Sequence, residues 1–315
     1  MRVSFIVPGN AKDVSGGHIY NRKLAECADD IDIIYCNTIE ELLSELTKDH
    51  QYLLIDAWAL HDISLKDINQ NFHLLAHHPI SLDQSIQGDE TKEIAFWKKA
   101  NSIITTSKFV KDYIEGFCST PVHCITPGVD YINSTREYPE LPKSINGYGS
   151  VIERKGDLLL IEALKNVGKI TINRFGPQTD TNHLEKVIKA SKKLQSSRIE
   201  FNGLLSEEDK NTSIKNTDLA VFPTFYESYG MAIQECLNAK TPVLTSDTKG
   251  MKTRFGNQGI RYIKQDANSW SAALKMYAQN TKKYLELTEE IKGLESNFES
   301  WNEKSQQLLR ILNPI

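Results

Sequence analysis

The stretch FPTFYESYGMAIQECLNAKTPVLTS, Phe222 to Ser246, decides how the chain is read. It begins inside LAVFP (Leu219 to Pro223) and ends in PVLTS, two short apolar runs of the kind that fill strands covered on both faces. Between them, GMAIQECLNA has helical spacing from about Gly230 to Ala239. Ala232, Ile233, Cys236 and Leu237 share one face and should meet a sheet, while Met231, Gln234 and Glu235 fall near the other side. The unit is therefore strand, loop, helix, strand. Glu227 stands in the loop at the carboxyl end of the first strand, and Glu235 stands inside the helix. A helix start carries free backbone N–H groups and a dipole that favours anions, so a phosphate fits in front of Tyr229, Gly230 and Met231. Glu235 lies about 7–8 Å further along at 1.5 Å per residue, which suits a long ligand with a diphosphate at its centre. On spacing alone, the plainer reading is that Glu227 is a helix-start charge and Glu235 a solvated surface residue, since such glutamates are common.

The same unit recurs on both sides. RVSFIV, DIIYC, YLLIDA, FHLLAH, SIITTS and VHCITP read as strands in the first part, separated mostly by helical stretches such as TIEELLSELTKDH and KFVKDYIEGF. The rhythm stops at STREYPELPKSINGYGS (Ser134 to Ser150), polar and broken by prolines and glycines, which reads as an interdomain linker. It then restarts with KITINRFG, RIEFNG, DLAVFP, TPVLTS and IRYIKQ as strands. The final stretch from Ser271 is helical almost throughout and should pack back across the protein, its C-terminal helix over 291–315 lying on the first domain. Continuous apolar runs alternating with helices indicate α/β domains with doubly wound parallel sheets, whose ligands sit at the carboxyl ends of the strands. The expected division is residues 1–142, 143–290 and a C-terminal helix over 291–315.

Composition narrows the class. The 315 residues are 40% hydrophobic and 25% charged, with a net charge of −4, which speaks against disorder and against nucleic acid as main partner. No apolar run is long enough for a membrane helix, and MRVSFIVPGN reads as a strand rather than a signal peptide. The five cysteines show no C-x-x-C spacing, as expected of a reduced cytoplasmic protein without structural zinc. EIAFWKKANS mixes apolar and basic residues. It reads as a helix with Trp97 partly buried, ahead of a peripheral membrane contact at the inner face. Gly16 and Gly17 precede a helix but lack a G-x-G-x-x-G pattern, so a simple turn is the plainer reading. His77 and His78 end a strand in LLAHHPIS; Asp83 and Lys108 are weaker candidates.

FPTFYESYGMAIQECLNAKTPVLTSD resembles the E-x7-E segment of the retaining GT-B glycosyltransferases called GT4, with Glu227 and Glu235 in the glutamate positions and Gly230, Pro242 and Val243 also matching. GYGSVIERKGDLLLIEAL and RIEFNGLLSEEDKNTSIKNTDLAVFPT resemble two further segments of that family, and IITTSKFVKDYI and ITPGVD resemble parts of its N-terminal domain. The resemblance implies a GT-B fold, two facing Rossmann-like domains with a cleft, the first binding the acceptor and the second a UDP- or GDP-sugar. It implies a hexosyltransferase acting on a glycan or lipid-linked acceptor in polysaccharide or glycoconjugate biosynthesis. It places Lys155 on the donor diphosphate, Glu227 against the sugar hydroxyls rather than as a covalent nucleophile, and Glu235 on the ribose. The loop with Gly16 and Gly17 would lie over the diphosphate, and a histidine, His77 or His78, would contact the donor sugar. Ser150 stands where the family has an arginine, and Arg154 or Arg174 could supply the charge. No cofactor and no metal are expected, since Lys155 and the helix start serve the phosphates. The rival readings are a catalytically silent subunit of the same fold supporting a partner transferase, and an epimerase or phosphorylase.

Overall fold

The computed structural model describes residues 2–82, 88–130, 136–295 and 298–313. Asp83, Ser134 and Thr135, with positions 296, 297, 314 and 315 of the expected C-terminal helical stretch, lie outside the described residues. The chain divides into two compact units, Met1–Gly128 with Glu299–Ile315, and Val129–Phe298.

The first unit runs β1 (Val3–Pro8), α1 (Gly16–Glu26), β2 (Ile31–Cys36), α2 (Ile39–Leu46), β3 (Tyr52–Asp56), β4 (His73–Ala76), α3 (Glu90–Lys99), β5 (Ser102–Thr105), α4 (Lys108–Glu115) and β6 (Val122–Cys124). Its sheet has the order β2-β1-β3-β4-β5-β6, and every pair is parallel. The apolar runs fill it from both faces, with Phe5, Ile6, Leu54, Ile55, Leu74 and Ile103 fully buried. Ser15, Thr38, Asp89 and Ser107 each accept a backbone N–H at a helix start, which fixes where α1, α2, α3 and α4 begin. Trp97 is fully enclosed rather than partly buried, because α3 turns Glu93, Phe96 and Trp97 inward and Phe117 and Tyr113 lie against the indole.

The second unit runs β7 (Ile145–Tyr148), α5 (Asp157–Leu164), β8 (Thr171–Phe175), α6 (Thr181–Ser191), β9 (Arg198–Phe201), α7 (Glu207–Lys215), β10 (Leu219–Phe222), α8 (Met231–Asn238), β11 (Val243–Ser246), α9 (Met251–Phe255), β12 (Ile260–Ile263), α10 (Ala267–Ala278) and α11 (Thr281–Lys292). Its sheet is also all parallel, in the order β12-β11-β10-β7-β8-β9. The stretch read as a linker contains β7, a central strand of this sheet. Its Asn146 and Tyr148 are buried polar residues satisfied inside the unit: Asn146 donates to Thr217 Oγ1 at 2.6 Å, and the Tyr148 hydroxyl meets Thr217 at 2.7 Å and Ser213 at 2.8 Å. Residues before β7 are also tied to this unit. Arg136 pairs with Asp218 at 3.0 Å, and the N–H groups of Lys143 and Ser144 donate to the same carboxylate at 2.9 Å. The units thus part after Gly128, not at 142.

The C-terminal stretch is helical over most of its described residues, in separate helices. Asn280 and a Ser300–Glu303 capping box start new helices, so α10, α11 and α12 (Trp301–Leu312) are separate. The last joins the first unit: Trp301 meets the Tyr20 ring edge-on at 5.6 Å, and Ser305 Oγ donates to Leu24 O on α1.

Candidate active site

In the second sheet the strand order reverses between β7 and β10, and a ligand crevice is expected outside the carboxyl ends at such a point. The two loops leaving those strands are locked together. Gly156 has φ 74°, and a Cβ there would lie 2.0 Å from Pro223 O, so only glycine allows this approach. The Phe225 N–H donates to Arg154 O at 2.8 Å, and Thr224 Oγ1 donates to the same carbonyl at 3.1 Å. This backbone clamp sets Lys155, from the β7 loop, against Glu227, from the β10 loop. Lys155 Nζ donates to Glu227 Oε2 at 2.5 Å, and the side chains are only 18% and 14% exposed.

Glu227 leads into α8. The cap residue Gly230 has φ 96°, and among the described residues no side chain caps the helix, so its first N–H groups are left for another acceptor. Arg254 on α9 fixes the preceding turn, donating to Ser228 O at 2.9 Å and to Tyr229 O, with its guanidinium 4.8 Å from the centre of the Tyr229 ring. Burial pushes the Glu227 carboxyl up, but Lys155, Arg154 and Arg254 outweigh it and hold the group below the usual carboxylate range. Burial pulls the Lys155 ammonium down, against the opposing pull of Glu227. The arrangement is a buried ion pair inside a ring of cations, at an uncapped helix start.

The other candidates fall as follows. Ser150 is partly buried in the loop after β7, and Arg154 reaches Tyr226 O at 3.4 Å. Arg174 is enclosed at 2% exposure and held by Asp157, with Nε to Oδ1 at 2.5 Å. The sequence reading did not foresee this pairing, although an acid in the first turn of α5 was visible. Tyr229 is buried with its ring edge-on to Phe255 at 5.8 Å, and Met231 is partly buried. Gln234 is only 2% exposed, so this side of α8 is covered rather than outward-facing. Glu235 is partly buried and accepts from Lys210 Nζ at 2.8 Å. Arg254 and Lys210 were missed, because no motif marks them in MKTRF or EEDKN.

In the first unit, Gly16 and Gly17 open α1, and a Cβ on Gly17 would meet the His77 ring at 3.3 Å. His77 Nε2 lies 2.8 Å from Asn21 Oδ1, and Asn21 Nδ2 donates to Asp56 Oδ2 at 2.5 Å. Burial lowers the pKa of His77; Asp56 opposes that shift and His18 adds to it. His78 is partly buried one residue on. Lys108 pairs with Asp112 on the surface of α4 at 2.7 Å. Asn21 and Asp56 were not singled out, although an acid closing an apolar strand in YLLIDA was a legible signal. Among the described residues, no group of three or more His, Cys, Asp or Glu could hold a metal ion, and no helix is long and apolar enough to cross a membrane.

Comparison with known proteins adds to this geometry. Residues 144–280 match the family model described as glycosyl transferases group 1. The chain is 24% identical over 228 residues to the processive diacylglycerol alpha-glucosyltransferase of Acholeplasma laidlawii, an alignment covering 62% of this chain and 66% of that protein, just under two thirds of its length. Among solved structures, Anabaena HepE in complex with UDP and glucose superposes with a TM-score of 0.78 at 15% identity, covering 100% of both chains. Sucrose-phosphate synthase from Thermosynechococcus elongatus does so at 0.77 and 17% identity, covering 98% of each. With two parallel six-stranded sheets and superposition over the whole of both chains, the protein has the GT-B fold of these neighbours, and most of its second unit matches the group 1 glycosyl transferase model.

Proposed function

We propose that this protein is a retaining glycosyltransferase that moves a hexosyl group from a UDP- or GDP-sugar to a glycan or lipid-linked acceptor without a divalent metal ion. The observation that carries the reading is the Lys155–Glu227 pair set beside the uncapped start of α8 at the strand-order reversal of the second sheet. A nucleoside diphosphate brings two negative groups to this point. Its phosphates take the N–H groups at Met231 and the ammonium of Lys155, with Arg154 and Arg254 adding field from behind. Glu227 is then released from Lys155 and turns to the sugar hydroxyls, orienting the donor. Glu235 takes the ribose hydroxyls. As the glycosidic bond breaks through an oxocarbenium-like state, negative charge builds on the leaving diphosphate, and fixed cations and helix N–H groups stabilise it there without reorganising. This assigns to Lys155 and α8 the work a metal ion does elsewhere.

The names of the relatives support a glucosyl donor, UDP as the nucleotide and an α-linked product, so UDP-glucose is the first donor to test. The experiment is a donor screen on purified protein, by calorimetry and then by donor hydrolysis and transfer, with and without EDTA. The reading requires binding of a nucleotide sugar, turnover that EDTA leaves unchanged, and a retained anomeric configuration. Binding without any turnover across donors and acceptors would instead identify a silent subunit. Activity lost in EDTA and restored by magnesium or manganese would overturn the metal assignment.

A further inference from the structure

The first sheet reverses its strand order between β1 and β3, and a closed polar chain sits at that place. Asp56 ends β3 and is 5% exposed; Asn21 lies on α1 and is fully buried. Asp56 Oδ1 accepts the Trp58 N–H at 2.9 Å, and Oδ2 accepts from Asn21 Nδ2 at 2.5 Å. An ionised carboxylate only accepts hydrogen bonds, so the Asn21 amide must turn its NH2 towards Asp56. Its carbonyl oxygen then faces His77 Nε2 at 2.8 Å, and a carbonyl can only accept. His77 Nε2 must therefore carry the proton. In a neutral imidazole this leaves Nδ1 with the lone pair. No hydrogen bond within the described residues engages Nδ1, and the side chain keeps 17% exposure. Gly17 packs against one part of the ring and Tyr20 meets it edge-on at 5.1 Å, so the ring cannot rotate freely.

We propose that Asp56 and Asn21 are positioning residues that hold His77 as its Nε2–H tautomer and present Nδ1 as a hydrogen-bond acceptor to a substrate hydroxyl. A carboxylate that cannot donate fixes the Asn21 amide, and the fixed amide in turn fixes which nitrogen of the packed His77 ring carries the proton. The hydroxyl's identity as part of a sugar rests on the function proposed above; the tautomer does not.

The test is long-range 1H–15N correlation spectroscopy on the full-length protein with 15N-labelled histidine, His77 being assigned by its loss in His77→Gln. The proton should sit on Nε2, with Nδ1 showing the shift of a bare ring nitrogen. Asp56→Asn keeps the shape but lets the new amide offer either group, so Asn21 can flip and His77 should become a mixture or the Nδ1–H form. A wild-type His77 found as the Nδ1–H form or as an averaged mixture would overturn the proposal, as would an Asp56→Asn protein with an unchanged tautomer. If Asp56→Asn does not fold, the wild-type spectrum still decides. Where transfer is measurable, Asp56→Asn should lower kcat roughly tenfold or more while leaving the affinity for free UDP unchanged. Equal kcat in the two proteins would overturn the substrate half. Failure of every donor would sink the proposed function and leave the tautomer result standing.

Discussion

Breaking the Lys155–Glu227 pair from either side should cost stability, and breaking it from both sides should cost no more than one change alone. The two side chains are 18% and 14% exposed and touch at 2.5 Å. Removing one partner of a fully buried pair costs about 3–5 kcal/mol, because the other charge is stranded. Here Arg154 and Arg254 still face Glu227 after Lys155→Met, and some solvent reaches the site, so about 2 kcal/mol is the better figure. Glu227→Gln leaves Lys155 near Arg154 and Arg174, for a loss of similar size, about 2 kcal/mol. The double variant removes both charges and should lose only about 1–2 kcal/mol, since an ion pair replaced as a whole is often close to neutral. The coupling is then about 2–3 kcal/mol, and each single change lowers the melting temperature of the second unit by roughly 4–8 °C. Scanning calorimetry on the four proteins measures this, with the transition of the second unit followed separately because two units need not unfold together. Glu227 has a folded pKa below its unfolded one, so its contribution is present above the ordinary carboxylate range and is lost as pH falls through the folded value. The coupling should hold from pH 7 to pH 5 and fade only in stronger acid. Single-variant losses that add to within about 0.5 kcal/mol would refute the claim that these residues act as a pair.

Glu93 gives a second pH test of opposite sign. Burial pushes its carboxyl up from 4.5 to about 7, so the stability of its protonated form is full below the unfolded value and is lost as pH rises through about 7. Glu93→Gln should remove that loss, making the first unit about 3 kcal/mol more stable at pH 8 and little changed at pH 4; equal melts of the two proteins at pH 8 would contradict it. Glu235→Ala should raise the donor KM while kcat changes little, because a ribose contact is made in the ground and transition states alike. A fall in kcat at constant KM would move Glu235 to the reacting centre.

The alternation of apolar runs and helices made both sheets legible, because a parallel strand buried on two faces has no polar residues to blur it. β7 was hidden for the opposite reason. INGY is four residues long and half polar, and its burial depends on Thr217, some seventy positions away. The helix start at Gly230 and the two glutamates could be placed from local spacing. What Lys155 touches could not, since its partner is 72 residues distant and arrives only through the Gly156–Pro223 approach. Arg174 looked like a spare cation at a strand end, yet Asp157 on the adjoining helix claims it. His77 was visible as a strand-end histidine, whereas the atom that holds it comes from a helix 56 residues earlier. Sequence period reveals faces and ends; pairing between loops of different strands appears only once the sheet order is known.

The central claim is that Lys155 and the start of α8 hold a donor diphosphate while Glu227 holds the sugar. Calorimetric titration of UDP into the wild-type protein, Lys155→Met and Glu227→Gln tests it most directly. A charge-assisted bond to phosphate is worth about 1.5–3 kcal/mol, so Lys155→Met should weaken binding roughly 10- to 150-fold. Glu227→Gln should bind UDP as tightly as the wild type or more tightly, because the diphosphate no longer competes with a carboxylate for Lys155. Unchanged affinity in Lys155→Met, or a comparable loss in Glu227→Gln, would contradict the account.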